Sequence, residues 1–287
     1  MSEPITSNEQ YHIHISSEHK LLDLNLKEVW KYRDLIFLFT KRNFAVRYKQ
    51  TILGPAWLFL NPFITSVMHT IVFGRIAKIG TDGIPQILFH LTGSAFWSFF
   101  SSCLVGNAST FTANARVFGK VYFPRLTTPI SNVLSNAIQF GIQMTMVLGF
   151  LIYFSINKMV VPNWLYFLLI PFLLIQLGLM GMGVGIIISS LTTKYRDLSV
   201  LVGFGMSWWM YGTPVVYPLS TISDGLLKQL VMLNPVTAPI ELFRYIVLGR
   251  GAVMPEYLIY SRIFTIIVAL LGIIIFNKVE RTFMDTV

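Results

Sequence analysis

The stretch WLYFLLIPFLLIQLGLMGMGVGIIISSL, residues 164–191, runs for 28 residues without one Lys, Arg, Asp or Glu. About 20 predominantly apolar residues in a helix suffice to cross the hydrocarbon core of a bilayer. A second run, NVLSNAIQFGIQMTMVLGFLIYF (132–154), holds 23 residues and is also free of charge. The 287-residue chain around them is 54% hydrophobic and 12% charged, whereas a soluble domain carries about 25% charge. The sequence therefore predicts an all-α integral membrane protein.

Working outward from these two runs, six spans are expected, at 56–76, 84–106, 131–154, 164–191, 199–216 and 260–278. An even number puts both termini on one side. Of the 22 Lys and Arg residues, 15 fall on the side of the termini and 7 on the other. Excess Lys and Arg mark the cytoplasmic side, so both ends are expected there. The net charge of +9 then belongs to faces near anionic lipid, and nucleic acid is not an expected partner. The opening MSEPITSNEQYHIHISSEHK is polar and has no apolar core of a signal peptide; residues 1–23 read as a flexible cytoplasmic tail. The lone Cys103 allows no intrachain disulfide and is expected to pack within the membrane.

Residues 24–50 predict an amphipathic interfacial helix. Lys27, Lys31, Asp34 and Lys41 share one face, while Trp30, Ile36, Phe37, Phe39, Phe44 and Val46 form a broad apolar remainder. Too charged to span, such a helix lies along the membrane surface with its cations toward headgroups. Arg47, Tyr48 and Lys49 then sit at headgroup level, Gly54 ends the surface helix, and Pro55 suits the first turn of the next one. This is an elbow from membrane surface into membrane. Asn61-Pro62 predicts a kink one and a half turns further in.

The elbow YKQTILGPAWLFLNP (48–62) resembles the permease subunit of type-2 ABC exporters, specifically those that export O-antigen, capsule and wall teichoic acid. Three further stretches match in order: NARVFGKVYFPRL (114–126), TKYRDLS (193–199) and LNPVTAPIELFRYIVLGR (233–250). The resemblance runs from about residue 25 to the C-terminus. It implies a bacterial inner-membrane protein whose domain, 51–287, works as a homodimer with two copies of a separate ATPase subunit. It also implies a lipid-linked glycan as cargo, O-antigen foremost, with a lipid or drug exporter of the same fold as the alternative. The loop 107–125 corresponds to the coupling helix, so Asn114, Arg116, Phe118, Lys120, Tyr122, Phe123 and Arg125 are implied ATPase contacts, with Tyr195 and Arg196 as a second one.

Residues 217–259 are unusual for an outer loop, because Leu226–Leu233 and Ile240–Leu248 are apolar but too short to span. Re-entrant helices between spans five and six are expected. Glu241 and Arg244, three residues apart, read either as an external gate latch or as a structural ion pair. Sugar rings stack on aromatic faces, much as bases stack on single-strand platforms. Trp57, Phe63, Trp208, Trp209 and Tyr211 are accordingly candidates for a substrate path, against the plainer reading of lipid-facing or belt aromatics.

No phosphate-binding GxxxxGK[ST] occurs. GLMGMGVG (178–185) lacks a lysine and offers instead the small-residue spacing of Gly181 and Gly185 for close helix packing. The chain is thus expected not to be an enzyme and to bind no cofactor, ATP and Mg belonging to the partner subunit. No metal site is expected; His12 and His14 read as solvated. A proton-coupled carrier would show ionisable residues inside its spans and internal repeats; spans one to five carry almost none of the former, and no repeat is seen between the halves. A membrane scaffold for glycan synthesis remains as a third class, separated by its having no ATPase partner.

Overall fold

The computed structural model describes residues 26–49, 51–121, 123–192, 195 and 197–283, with residues 26, 27, 48 and 280–283 described by their backbone alone. The expected tail 1–23 and the coupling residues Tyr122 and Arg196 lie outside the described residues, as does the side chain of Tyr48. Among the described residues there are helices and no strands. In chain order they are α1 (Leu26–Lys31), α2 (Arg33–Tyr48), α3 (Trp57–His69), α4 (Gln86–Ala108), α5 (Thr110–Phe118), α6 (Thr127–Ile156), α7 (Ile170–Thr192), α8 (Leu198–Tyr211), α9 (Leu226–Leu233), α10 (Thr237–Leu248) and α11 (Pro255–Phe283).

Five helical stretches are long and apolar enough to cross a membrane: Gly54–Ile76, Gln86–Ala108, Thr127–Ile156, Trp164–Thr192 and Pro255–Val279. They match the first four and the last of the expected spans. The fifth does not have the expected length. α8 has 14 residues, or about 21 Å at 1.5 Å per residue, short of the ~30 Å hydrocarbon core. Residues 212–216, expected to continue it, are turns instead. The two apolar pieces that follow form α9 and α10, bent by 85° across a short break, a geometry that a broken span and the expected re-entrant pieces share.

α4 is the central helix; 78% of its apolar window is buried within the protein. The FWSFF cluster lies on it, and Phe96, Phe99 and Phe100 are core residues, Phe96 stacking on Phe243 of α10 at 4.2 Å. α7 approaches α4 on one side and α11 on the other through its glycines. A Cβ at Gly181 would lie 2.9 Å from the Cβ of Cys103, and one at Gly185 would lie 2.5 Å from the Leu104 carbonyl. On the opposite face, Gly183 lies against Ala269 and Gly272 of α11. Small residues let helix backbones meet where lipid offers no hydrophobic drive between helices. Cys103 is buried in this seam, as a packing thiol.

A smaller core gathers under α1 and α2. Val29, Ile36 and Phe39 pack with Phe111, Phe118, Phe123, Met182, Ile186 and Phe276. The expected single surface helix is thus two, broken at Tyr32, and one face rests on protein. Trp30, Phe37, Leu38 and Val46 remain exposed. α3 runs through Pro62 without ending, and the Ser66 hydroxyl donates to the Pro62 carbonyl at 2.7 Å.

Candidate functional site

The elbow is built as its residues demand. Gly54 has φ +49°, in the left-handed region that glycine enters without steric cost, and a Cβ there would meet nothing. The turn therefore needs glycine for its backbone conformation. Pro55 opens a short 3₁₀ turn, Gly54–Ala56, that feeds α3. Just before the elbow, Arg47 reaches across to α6. Its Nη1 donates to Asn136 Oδ1 at 3.0 Å and to Gln139 Oε1 at 2.8 Å. Lys49 is exposed beside a surface groove at the elbow.

Beyond Arg47 a polar groove of about 290 Å³ opens between α3, α4 and α6. Asn61, Thr65 and His69 come from α3, Ser94, Ser98, Ser101 and Ser102 from α4, and Gln139 and Gln143 from α6. Trp97 and Met210 supply apolar wall. No Asp, Glu, Lys or Arg lines it. Ser94 Oγ lies 3.3 Å from His69 Nδ1, and His90 is packed behind, its ring 5.9 Å from that of His69. The groove presents neutral hydrogen-bonding groups at membrane depth, with aromatic surface beside them. This suits a polyhydroxylated ligand better than a charged one, since burying an unpaired charge is far more costly than burying a hydroxyl that finds a partner.

Sequence reading missed this groove. The signal was present: 61, 65 and 69, then 94, 98, 101 and 102, then 139 and 143, each follow helical spacing on one face. The five aromatics expected on a path do not line it. Trp57 is half-buried at the start of α3, and Phe63 stacks on Phe150 of α6 at 6.3 Å. Trp208 is 80% exposed and Tyr211 is exposed, its ring 6.4 Å from Phe73. Trp209 is a correction of another kind. It packs edge-on against Phe100 at 5.2 Å and donates its indole N–H to Asn234 Oδ1 at 3.0 Å. Asn234 also donates to Thr213 Oγ1 at 2.7 Å and to the Gly212 carbonyl at 3.1 Å. The Asn-Pro pair therefore staples the end of α8, and Trp209 belongs to that staple.

The expected coupling residues divide. Arg116, Lys120 and Tyr195 are exposed. Asn114 is half-buried and donates to the Thr110 carbonyl at 2.9 Å. Phe118 and Phe123 are buried against one another, and the Arg125 guanidinium sits 5.3 Å over the Phe118 ring. These three hold α5 in place rather than offering surface, because an apolar ring left exposed on this helix would forgo its burial energy. Ser189 Oγ accepts the Phe111 N–H at 3.2 Å and Thr192 donates to the Ala108 carbonyl at 3.2 Å. The end of α7 thereby ties down the joint of α4 and α5.

Glu241 and Arg244 do pair, at 3.0 Å, and both are buried, Arg244 to 1% exposure. Arg244 also donates to the carbonyls of Pro214, Val215 (2.6 Å) and Tyr217 (3.5 Å), and its guanidinium lies 3.9 Å over Phe89. Glu241 Oε2 accepts the Ala252 N–H at 3.1 Å. The pair joins the turn after α8 to α10. Further out, Lys228 donates to Asp224 at 2.7 Å, and this hydrogen bond, aided by the charge, keeps the carboxyl below its ordinary pKa. Among the described residues no group of His, Cys, Asp and Glu is arranged to hold a metal ion.

Comparison with known proteins follows the same architecture. Two O-antigen export system permease proteins RfbA of Klebsiella pneumoniae are each 28% identical over 253 residues, covering 88% of this chain and 94% of theirs. The protein of the same name from Myxococcus xanthus is 29% identical over 216 residues, covering 74% of this chain and 80% of its own. Residues 34–248 match the ABC-2 type transporter family, from the surface helix α2 through the end of α10. With five membrane-length helices, an elbow at Gly54 and a bent helix pair before the last span, this chain is a membrane permease of the ABC-2 type transporter family.

Proposed function

We propose that this chain is the permease of an ATP-driven exporter that moves a lipid-linked polysaccharide of the O-antigen type out of the cytoplasm. The neutral polar groove between α3, α4 and α6 carries the reading, since its serines, asparagine and glutamines match sugar hydroxyls. The name borne by the relatives from Klebsiella pneumoniae and Myxococcus xanthus supports the same cargo. The absence of a carboxylate in the groove favours a glycan over a cationic drug.

Two copies of this chain work with two ATPase subunits in the bacterial inner membrane, with both termini cytoplasmic. Nucleotide binding closes the ATPases against Arg116, Lys120 and Tyr195. Force passes from α5 into α4, which it follows directly, and so reaches one wall of the groove. The glycan advances with its hydroxyls exchanging partners along the groove and leaves under α9 and α10.

The test is purification of the tagged chain from its native membranes, together with an immunoblot for surface glycan. A Walker-motif ATPase is expected at one per permease. Ser98→Leu, which fills the groove with an apolar chain, is expected to lower surface glycan about tenfold with the protein still present at normal level, about the loss of one sugar hydrogen bond. Recovery of the chain without an ATPase, or full export by Ser98→Leu, would overturn the reading.

A further inference from the structure

We propose that a basic pocket between α2, α5 and α6 binds a lipid-borne phosphate, at the mouth of the groove and against the helix that meets the ATPase. The inference rests on the reading of the cargo as lipid-linked and adds the site of its anionic head. The pocket has a volume of about 450 Å³, and Arg42, Asn43, Arg47, Asn114, Thr128 and Asn132 are among its walls.

Three observations point to an acceptor-only anion. First, the pocket holds two guanidinium groups and no carboxylate. Arg47 donates only to the neutral amide oxygens of Asn136 and Gln139, and both bonds use one nitrogen, Nη1. Arg42 donates to Asn43 Oδ1 at 3.2 Å and lies 4.6 Å over the Phe39 ring. Among the described residues neither has an acidic partner. Guanidinium forks match phosphate oxygens in geometry as well as charge.

Second, Asn132 Nδ2 is buried without a hydrogen-bond partner, while its Oδ1 accepts from Asn136 at 3.5 Å. Asn136 in turn accepts from Arg47. The chain of amides ends in a donor with nothing to donate to, on the wall of a basic pocket. Buried donors are nearly always satisfied; Nδ2 lies against Gly106, where a Cβ would come within 2.2 Å of it, so a phosphate oxygen would reach it once the Asn132 side chain turns toward the pocket. The room for this amide comes from Gly106, where a Cβ would lie 2.9 Å from the Asn132 Cγ.

Third, the pocket's position suits a headgroup carried on a lipid tail. Arg47 precedes the elbow at Gly54, where the chain turns from the surface helix into the first span. Gln139, which takes the second Arg47 bond, also lines the groove. A phosphate on Arg47 therefore sits where sugars attached to it would enter the groove, with Asn114 of α5 on the other side. Occupancy of the pocket and the position of the coupling helix are thereby linked.

The permease–ATPase complex in detergent is titrated with radiolabelled polyprenyl diphosphate, with phosphatidylglycerol and with inorganic pyrophosphate, for wild type, Arg47→Gln and Arg47→Lys. Wild type is expected to retain the polyprenyl diphosphate, Arg47→Gln to bind it about tenfold more weakly, and Arg47→Lys to lie between, having charge without the fork. Equal retention of phosphatidylglycerol would still put a lipid phosphate in the pocket and name bulk lipid as its source. Binding of inorganic pyrophosphate with no lipid retained would overturn the lipid assignment. Unchanged binding by Arg47→Gln and by Arg42→Gln would overturn the pocket itself. So would loss of the ATPase subunit from Arg47→Gln with diphosphate binding intact, because the pocket would then be a protein contact. Glycan export is measured on the same strains. If wild type binds the diphosphate but exports no glycan, the cargo reading fails and the pocket stands; if Arg47→Gln binds normally while wild type exports, the reverse holds.

Discussion

Two arginines divide this molecule. Arg244, under the helix pair α9 and α10, is enclosed by a carboxylate, three carbonyls and an aromatic face. Arg47, at the elbow, meets neutral amides on one nitrogen and stays exposed to the basic pocket. The first has its charge balanced by the fold, with only its Nε left without a hydrogen-bond partner, and that atom is sealed from solvent. The second keeps its charge available. A buried charge is kept only where partners and hydrogen bonds surround it, so the protein treats one arginine as structure and presents the other.

The largest effect that could break this contrast is on Arg244. Arg244→Met leaves Glu241 buried without its cation and frees the turn at 214–217. It is expected to destabilise the protein by about 3–5 kcal/mol, read as a lower melting temperature of the purified protein. The double variant with Glu241→Gln is expected to lose less than the sum of the two single changes, since the orphan charge is gone. A melting temperature within a degree of wild type for Arg244→Met would show that the pair does not hold the turn.

A smaller effect probes the same enclosure from its other side. A Cβ at Gly93 would lie 2.6 Å from the Val215 carbonyl and 2.9 Å from Arg244 Nη2. Gly93→Ala is expected to lose about 1–3 kcal/mol by overpacking, in the same melting assay, with the loss reduced when Arg244 is already replaced. Independent, additive losses would mean that the two sites do not share a contact.

The smallest expected effect sharpens the comparison from the Arg47 side. Arg47→Gln is expected to change stability by less than about 1 kcal/mol, as exposed charges typically do, while changing function. A large fall in its melting temperature would make Arg47 a structural residue like Arg244 and remove the contrast.

Much of the fold was legible in the residues. Charge-free runs located the spans, the Gly54-Pro55 pair located the elbow, and Gly181 with Gly185 located a helix seam. These features act over one helix turn or one helix length, and a one-dimensional pattern carries them. The end of α8 was legible but missed: Gly212-Thr213-Pro214 is a helix-stop pattern, although the contacts with Arg244 and Asn234 that fix the turn arrive only from later in the chain. The burial of Phe118 and Phe123 was not legible, because it depends on α2 lying across them. The groove was half legible. Its polar positions repeat at helical spacing, yet serine, threonine and glutamine inside apolar runs do not announce which faces meet.

The sequence by itself determined that this chain enters a membrane, where it turns to do so, and which segments are long enough to cross. Hydrophobic burial and backbone conformation are local quantities, summed over neighbouring residues, and they need no fold to be evaluated. Tertiary structure alone decided which polar stripes face one another, which arginine is enclosed and which is presented. Those outcomes depend on distances between α2, α4, α6 and α10, and residues far apart along the chain acquire a distance only when helices pack.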